Sequence, residues 1–265
     1  MKKRIVLMVV FLAIIFVALG ILFSINKKEP LQKEEVHISP KLIHKVAIVV
    51  DDWGYNINNI ELMRTIDVNL TISILPNLPH SKWIARNQKF FKGIREIILH
   101  MPMEPENENL SLESNTLLTA MDKEEVTSLL NEAIDSLPYA SGISNHMGSE
   151  ATKDAKLMSS VMEVLQERKL YFLDSIAVPK TACEKIAKNF EVKFAQRDVF
   201  LDNIDDEGYI TSQFDKLIEK ARKNGSAIGI GHDRHTTLVV LKKKTDELKN
   251  SDIEFVFVSD LTTSM

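Results

Sequence analysis

The sequence predicts an α/β fold built on a mainly parallel sheet, and three observations carry that prediction. Short apolar, largely β-branched runs recur at 46–50, 70–75, 95–99, 142–145, 170–173, 198–201, 227–231 and 253–258. Each has the length and residue type of a buried strand. Amphipathic helix patterns lie between most of them, clearest at 122–137, 154–168, 211–224 and 236–249. Strands and helices alternating at this spacing mark βαβ units. Seven or eight such units after residue 45 either close into a barrel or make an open doubly wound sheet.

The chain begins differently. Lys2, Lys3 and Arg4 precede 21 uncharged residues, Ile5 to Ile25, interrupted only by Ala13, Ala18, Gly20 and Ser24 among the large apolar side chains. That length crosses a hydrocarbon core of about 30 Å at about 1.5 Å per residue. The small-x-small triplet Ala18-Leu19-Gly20 lies inside the apolar run, a poor place for signal cleavage. Residues 1–28 are therefore expected to be a cytoplasmic stub and an uncleaved transmembrane anchor. Positive charge ahead of the span places the body outside the cytoplasm; cleavage of the segment would instead secrete it. Residues 29–45 are mostly polar, contain Pro30 and Pro40 and show no periodicity, as a tether does. His37 and His44 fall in that tether and are expected to face solvent.

Residues 46–265 form the expected folded domain. Five of the 33 Lys/Arg lie in residues 1–28, so the rest sets 28 bases against 37 acids, a net of −9. An acidic body argues against binding nucleic acid, which needs a basic footprint. No glycine-rich nucleotide motif follows any strand. The single cysteine, Cys183, excludes an intramolecular disulfide and a cysteine-based zinc cluster; it reads as a buried thiol in a helical stretch. Pro105 to Thr119 is polar and long enough to be a loop over a site.

The first strand candidate runs directly into Asp51 and Asp52. Capping of the next helix is one reading of such acids. The other follows from parallel α/β folds doing chemistry at the C-terminal strand ends. His100, His146 and His232 also end strand candidates, so three imidazoles converge with two carboxylates at one end of the sheet. Buried ionisable groups cost free energy unless paired or metal-bound, which makes this convergence hard to assign to packing. A carboxylate with two imidazoles suits a divalent ion, zinc first. The parts are then Asp52, His100 and His146 for metal, Asp51 as general base and His232 as acid toward the leaving group. Asp174, Asp198 and Asp202 are candidates for orienting His232 or Asp51. Glu104, four residues after His100, is a candidate ligand, substrate contact or lid anchor. Pro102 argues against a regular helix between the two.

These pieces together resemble a known family, the divergent polysaccharide deacetylases, relatives of the NodB-homology carbohydrate esterases. The matching segments are Val50-Asp51-Asp52-Trp53-Gly54, Leu99-His100-Met101-Pro102-Met103-Glu104-Pro105, Asn145-His146-Met147-Gly148-Ser149, Phe172-Leu173-Asp174-Ser175, Arg197-Asp198-Val199-Phe200-Leu201-Asp202-Asn203 and Ile228-Gly229-Ile230-Gly231-His232. They occur in the family's order. The resemblance implies a distorted (β/α) barrel of about seven strands and metal-dependent removal of acetyl groups from an envelope glycan. It implies Asp51 as base, Asp52 as metal ligand and His232 as the histidine that protonates the leaving group, with Arg197 in the supporting set. Better-known members of the wider family carry two histidines at i,i+4. Here Glu104 stands at the second position, so the third ligand is either His146 or Glu104. The rival expectation is a glycan-binding or scaffold protein on the same barrel without turnover. Glycosidic cleavage fits less well, because adjacent acids do not flank a bond as such enzymes require.

Overall fold

A computed structural model describes residues 2–25, 42–87 and 94–263. The N-terminal unit is helix α1, Lys2–Ile25, with its large apolar side chains exposed. At about 1.5 Å per residue it measures about 36 Å, and it is long and apolar enough to cross a membrane or to serve as a signal sequence. The expected tether lies, up to residue 41, outside the described residues.

The second compact unit starts at Leu42. Its strands are β1 His44–Trp53, β2 Leu70–Ile74, β3 Ile94–Met103, β4 Ala140–Met147, β5 Tyr171–Asp174, β6 Phe194–Gln196, β7 Val199–Phe200, β8 Ser226–His232 and β9 Ile253–Val256. All pair in parallel in the order β6-β5-β4-β3-β2-β1-β8-β7. One edge of β1 is taken by β8; β9 and β2 share the other, at residues 44–47 and 49–53. His44 is thus not a solvent-facing tether residue. It opens β1, is buried, and its ring nitrogen lies 3.9 Å from Asp252.

The outermost strands, β6 and β7, are separated in sequence only by Arg197 and Asp198. Three Cα steps span at most about 11 Å, so the sheet must curl until its ends nearly meet. The two residues stitch that gap. Arg197 N–H donates to Asp174 O of β5 at 3.0 Å, and Asp198 N–H to Ile228 O of β8 at 2.8 Å. The strand expected at 198–201 is therefore only β7, the second half of a stave whose first half, β6, lies outside every expected strand, and counting β6 and β7 as one stave leaves seven around the barrel. The seam stays partly open, since β6 and β7 do not pair.

Alternation sorts the side chains. Ala47, Val49, Ile98, Leu173, Ile228 and Ile230 face inward and form their own cluster. Val46, Ile48, Val50, Ile97, Leu99 and Phe172 face outward into the main core with the helices. Those helices are α2 Ile60–Met63, α3 Ser81–Arg86, α4 Lys123–Ser136, α5 Ala155–Arg168, α6 Cys183–Asn189, α7 Glu207–Asn224 and α8 His235–Glu247. Helix α7 begins four residues before the expected 211, because Asp206 caps it by accepting from Tyr209 N–H. Inside the barrel, Gly142 has a steric reason. A Cβ there would sit 2.6 Å from the Tyr171 ring, which lies across the position. At the N-terminal end the buried Glu96 accepts from Thr71, Ser141 and the Val258 N–H, tying the turn Val258–Leu261 to the barrel floor. Cys183 is buried, as expected.

Candidate functional site

The inward-facing series on each strand ends in a polar layer. On β1 it runs 47, 49, 51 and on β8 228, 230, 232; the register sets Asp51 opposite His232. On β3 it runs 98, 100 and on β4 144, 146; His100 is opposite Ser144 and Pro102 opposite His146. Strands β3 and β4 continue to Met103 and Met147, so both histidines stand within strands rather than at their ends. Between β1 and β3, strand β2 contributes the small Ser73. The β1 carboxylate and β3 imidazole therefore approach across it, with His100 Nε2 3.6 Å from Asp51 Oδ2.

Asp52 should point out of the barrel, since neighbours on a strand alternate. It does not. The β1–β2 register slips between Val50 and Trp53, and Asp52 takes a left-handed φ of 65°, a conformation aspartate tolerates better than most residues. Both acids consequently face the mouth. Asp52 Oδ1 lies 3.0 Å from His146 Nδ1 and 3.3 Å from His100 Nε2, and Oδ2 lies 3.8 Å from His232 Nε2. The approaches at Oδ1 are close but not aimed as hydrogen bonds, and Oδ1 is buried without a hydrogen-bonding partner. The carboxylate and the two ring nitrogens lie within 4.8 Å of one another. Lone pairs gathered on one point, with an orphaned buried oxygen among them, fit a divalent cation.

The neighbouring acids are tuned in opposite directions. Burial raises the affinity of Asp51 for a proton, its closeness to His100 opposes this, and the charge of Asp52 reinforces it. Burial acts on Asp52 in the same sense, but the His100 and His146 imidazoles outweigh it and hold its carboxyl well below the usual range. His232 is tuned too. Burial disfavours its charged form, yet Asp202 more than compensates and the net shift is upward. Asp202 is fully buried, accepting from His232 Nδ1 at 2.8 Å, the His232 N–H at 2.8 Å and Thr237 at 2.7 Å.

The other expected residues are dispersed. Arg197 donates to the carbonyls of Ser175 and Ile176 at 2.6 and 2.9 Å and stacks over Phe200, 4.8 Å from the ring centroid. Asp174 accepts from Ile176 N–H and from Thr181. Together they hold Ile176 at φ 52°, strained for a β-branched residue, where it lines the cleft. Asp198 lies at the seam, accepting from Ile228 N–H and 3.7 Å from Lys220. Glu104 does not join the carboxylate–imidazole cluster; its carboxylate accepts from Thr119 N–H at 2.5 Å and anchors the loop that follows. That loop is tied to the β1–α2 turn by a hydrogen bond from Tyr55 to Glu113 and to the segment after β4 by Ser149.

The resulting cleft encloses about 350 Å³ and is lined by Asp51, His100, His146, Arg197 and His232, with Phe200 against one side. Asn145, Ser175 and Asn203 also line it and were not singled out from sequence. Nor were Ser73 and Ser144, whose only signal was an inward parity shared with Thr71 and His146.

The sequence model of the divergent polysaccharide deacetylase family matches residues 48–262. The uncharacterized protein YibQ of Escherichia coli K12 is 38% identical over 223 residues, covering 84% of this chain and 69% of that protein. An uncharacterized protein of Haemophilus influenzae Rd is 37% identical over 217 residues, 82% of this chain and 76% of that one. Among solved structures, the uncharacterized protein ATU2773 of Agrobacterium tumefaciens C58 superposes with a TM-score of 0.78 at 25% identity, over 84% of this chain and 91% of that one. With the family's pattern running through nearly the whole barrel, the chain belongs to the divergent polysaccharide deacetylases.

Proposed function

We propose that this protein is a membrane-anchored, metal-dependent hydrolase that removes acetyl groups from a glycan of the cell envelope. The observation that carries the reading is the gathering of Asp52, His100 and His146 on one point, flanked by Asp51 and His232 on paired strands. Family membership supports a glycan substrate. The apolar α1 supports an anchor, with the domain from Leu42 onward on the far side of the membrane.

In this reading Asp52, His100 and His146 hold a divalent ion, with zinc suited to one carboxylate and two imidazoles. Such an ion, when bound, polarises a carbonyl and makes water more acidic. Asp51 is the general base. Burial makes its carboxylate a better proton acceptor than an exposed one, as abstraction of a proton from water requires. His232 is the general acid. With Nδ1 held by Asp202, its Nε2 faces the site and delivers a proton to the departing amine or alcohol. Asp202 favours the protonated ring, the form that must be present when the leaving group departs. Arg197 and Asp174 shape the cleft wall through Ile176.

Elemental analysis of the purified protein tests the first half of this reading. Near-stoichiometric zinc or another divalent ion is expected, with Asp52→Ala and His146→Ala losing it. Metal far below stoichiometric, or unchanged in both variants, refutes the site. The second half is read by acetate release from an acetylated amino-sugar oligomer. Asp51→Asn should keep the metal and lose at least about 100-fold in rate, the scale of a general base. A wild type that binds metal and envelope glycan but releases no acetate points to a binding role instead.

A further inference from the structure

Asn59 stands at the N-cap of α2, where an asparagine side chain ordinarily accepts from the first turn of its own helix. It makes no such bond. Its Nδ2 donates to Asp233 instead, 2.8 Å from Oδ1 and 3.4 Å from the carbonyl oxygen. Both residues are half-buried, and neither lines the cleft or joins the carboxylate–imidazole cluster. Asp233 in turn donates its N–H to Asp51 O at 3.0 Å. On the opposite edge of β1, Leu75 N–H donates to Trp53 O at 2.9 Å.

We infer that Asn59 and Asp233 are positioning residues that hold Asp52 turned into the site. The inference rests on the reading of Asp52 as a metal ligand. Asp52 lies between the two bonded carbonyls at a φ of 65°, in the small left-handed region that side chains rarely occupy. A regular strand would carry its carboxylate outward. The Asp51 carbonyl belongs to the planar peptide that joins Asp51 to Asp52. Fixing that oxygen fixes the plane about which φ of Asp52 is measured, while Leu75 holds the strand beyond. The Asp233 N–H restrains that plane only as firmly as its own turn is held. Asn59 grips the turn twice, at the Asp233 side chain and at its carbonyl. An asparagine that leaves its own helix uncapped to make this contact serves the turn at the expense of α2. The hydrogen bond is the device, since a carboxyl oxygen keeps acceptor capacity whether or not the group is ionised.

The test uses the full chain in detergent. Zinc affinity is read by chelator competition, and the ligand arrangement by the absorption bands of the cobalt(II)-substituted protein. Asn59→Ala removes the amide and leaves every cluster residue in place. It should weaken zinc binding by about 10-fold, the low end for residues that orient a ligand, and shift the cobalt bands. Asp233→Ala should reproduce both changes, and serves if Asn59→Ala does not fold. Asp233→Asn keeps an oxygen for the Asn59 amide and should retain the wild-type affinity and spectrum. Alanine variants with unchanged affinity and unchanged cobalt bands overturn the inference, while the ligand reading stands. A loss in Asp233→Asn as large as in Asp233→Ala assigns the effect to charge and overturns it too. A wild type that binds no zinc overturns the ligand reading and this inference with it.

Discussion

Asp202 shows how one buried carboxylate sets the behaviour of a neighbour 30 residues away. It accepts three hydrogen bonds, two of them from His232. Burial raises the Asp202 pKa, but the bond and charge of His232 outweigh it and the net value falls below the ordinary 3.8. The His232 value is raised above the ordinary 6.5 despite burial. The signs give the pH window. A raised histidine contributes its full stability below about pH 6.5 and loses it as pH climbs through the folded value. A depressed carboxylate contributes above about pH 4 and loses it as pH falls through its folded value. The pair therefore contributes most between about pH 4 and 6.5. Asp202→Asn should lower the His232 pKa, read by NMR titration, because the bond and charge that raise it are lost. It should also lower stability by about 1–3 kcal/mol, read by urea unfolding at pH 6. An unmoved His232 titration would refute the coupling.

Among the elements, β4 explains why residue choice inside a small barrel is narrow. Gly142, Ser144 and His146 share its inner face, and each fills a different need. Gly142 admits the Tyr171 ring, Ser144 meets His100, and His146 reaches Asp52. Gly142→Ala places a methyl against the buried Tyr171 ring. It should destabilise the domain by about 1–3 kcal/mol, as overpacking does, with a perturbed Tyr171 fluorescence or NMR signal. A neutral effect in urea unfolding would show that the ring moves freely. The longer helices were legible because capping and amphipathic spacing are local. Of the short helices, α2 gave no such signal, since at four residues it is set by packing against the barrel, whereas α6 coincides with the helical stretch read at Cys183. The split of the last stave was invisible for a related reason. Arg197 and Asp198 read as ordinary strand-flanking polar residues until their N–H groups are seen to bond opposite edges of one sheet.

Two units with opposite surface chemistry make up the whole molecule. The helix α1 exposes apolar side chains along its length, whereas the unit from Leu42 onward buries its apolar residues in two clusters. A chain starting at residue 42 should therefore fold without α1. Its urea midpoint and metal content should equal those of the full protein in detergent, and it should stay in the soluble fraction while the full chain sediments with membranes. Aggregation of the truncated chain would show that the N-terminal unit protects the body.

Local physics explains how much was readable in advance. Alternating strand and helix patterns imply the parallel architecture, and the order of Asp51-Asp52, His100, His146 and His232 along the strands identifies the end of the barrel that carries the polar layer. The apolar N-terminal run announces itself by length alone. What needed three dimensions was anything that depends on a neighbour remote in sequence. Glu104 remained an alternative to His146 as third ligand until the barrel carried His146 to Asp52 and left the Glu104 carboxylate accepting from Thr119 N–H. His44 looked like tether until β9 covered it. Ser73 and Ser144 are unremarked serines until β2, β3 and β4 lie side by side. Most telling is Asp52, because the strand's own alternation directs it outward. A slipped register and one left-handed residue turn it back beside Asp51. Periodicity along a chain encodes which face a side chain takes in a regular strand, and a site assembled at an irregularity escapes it.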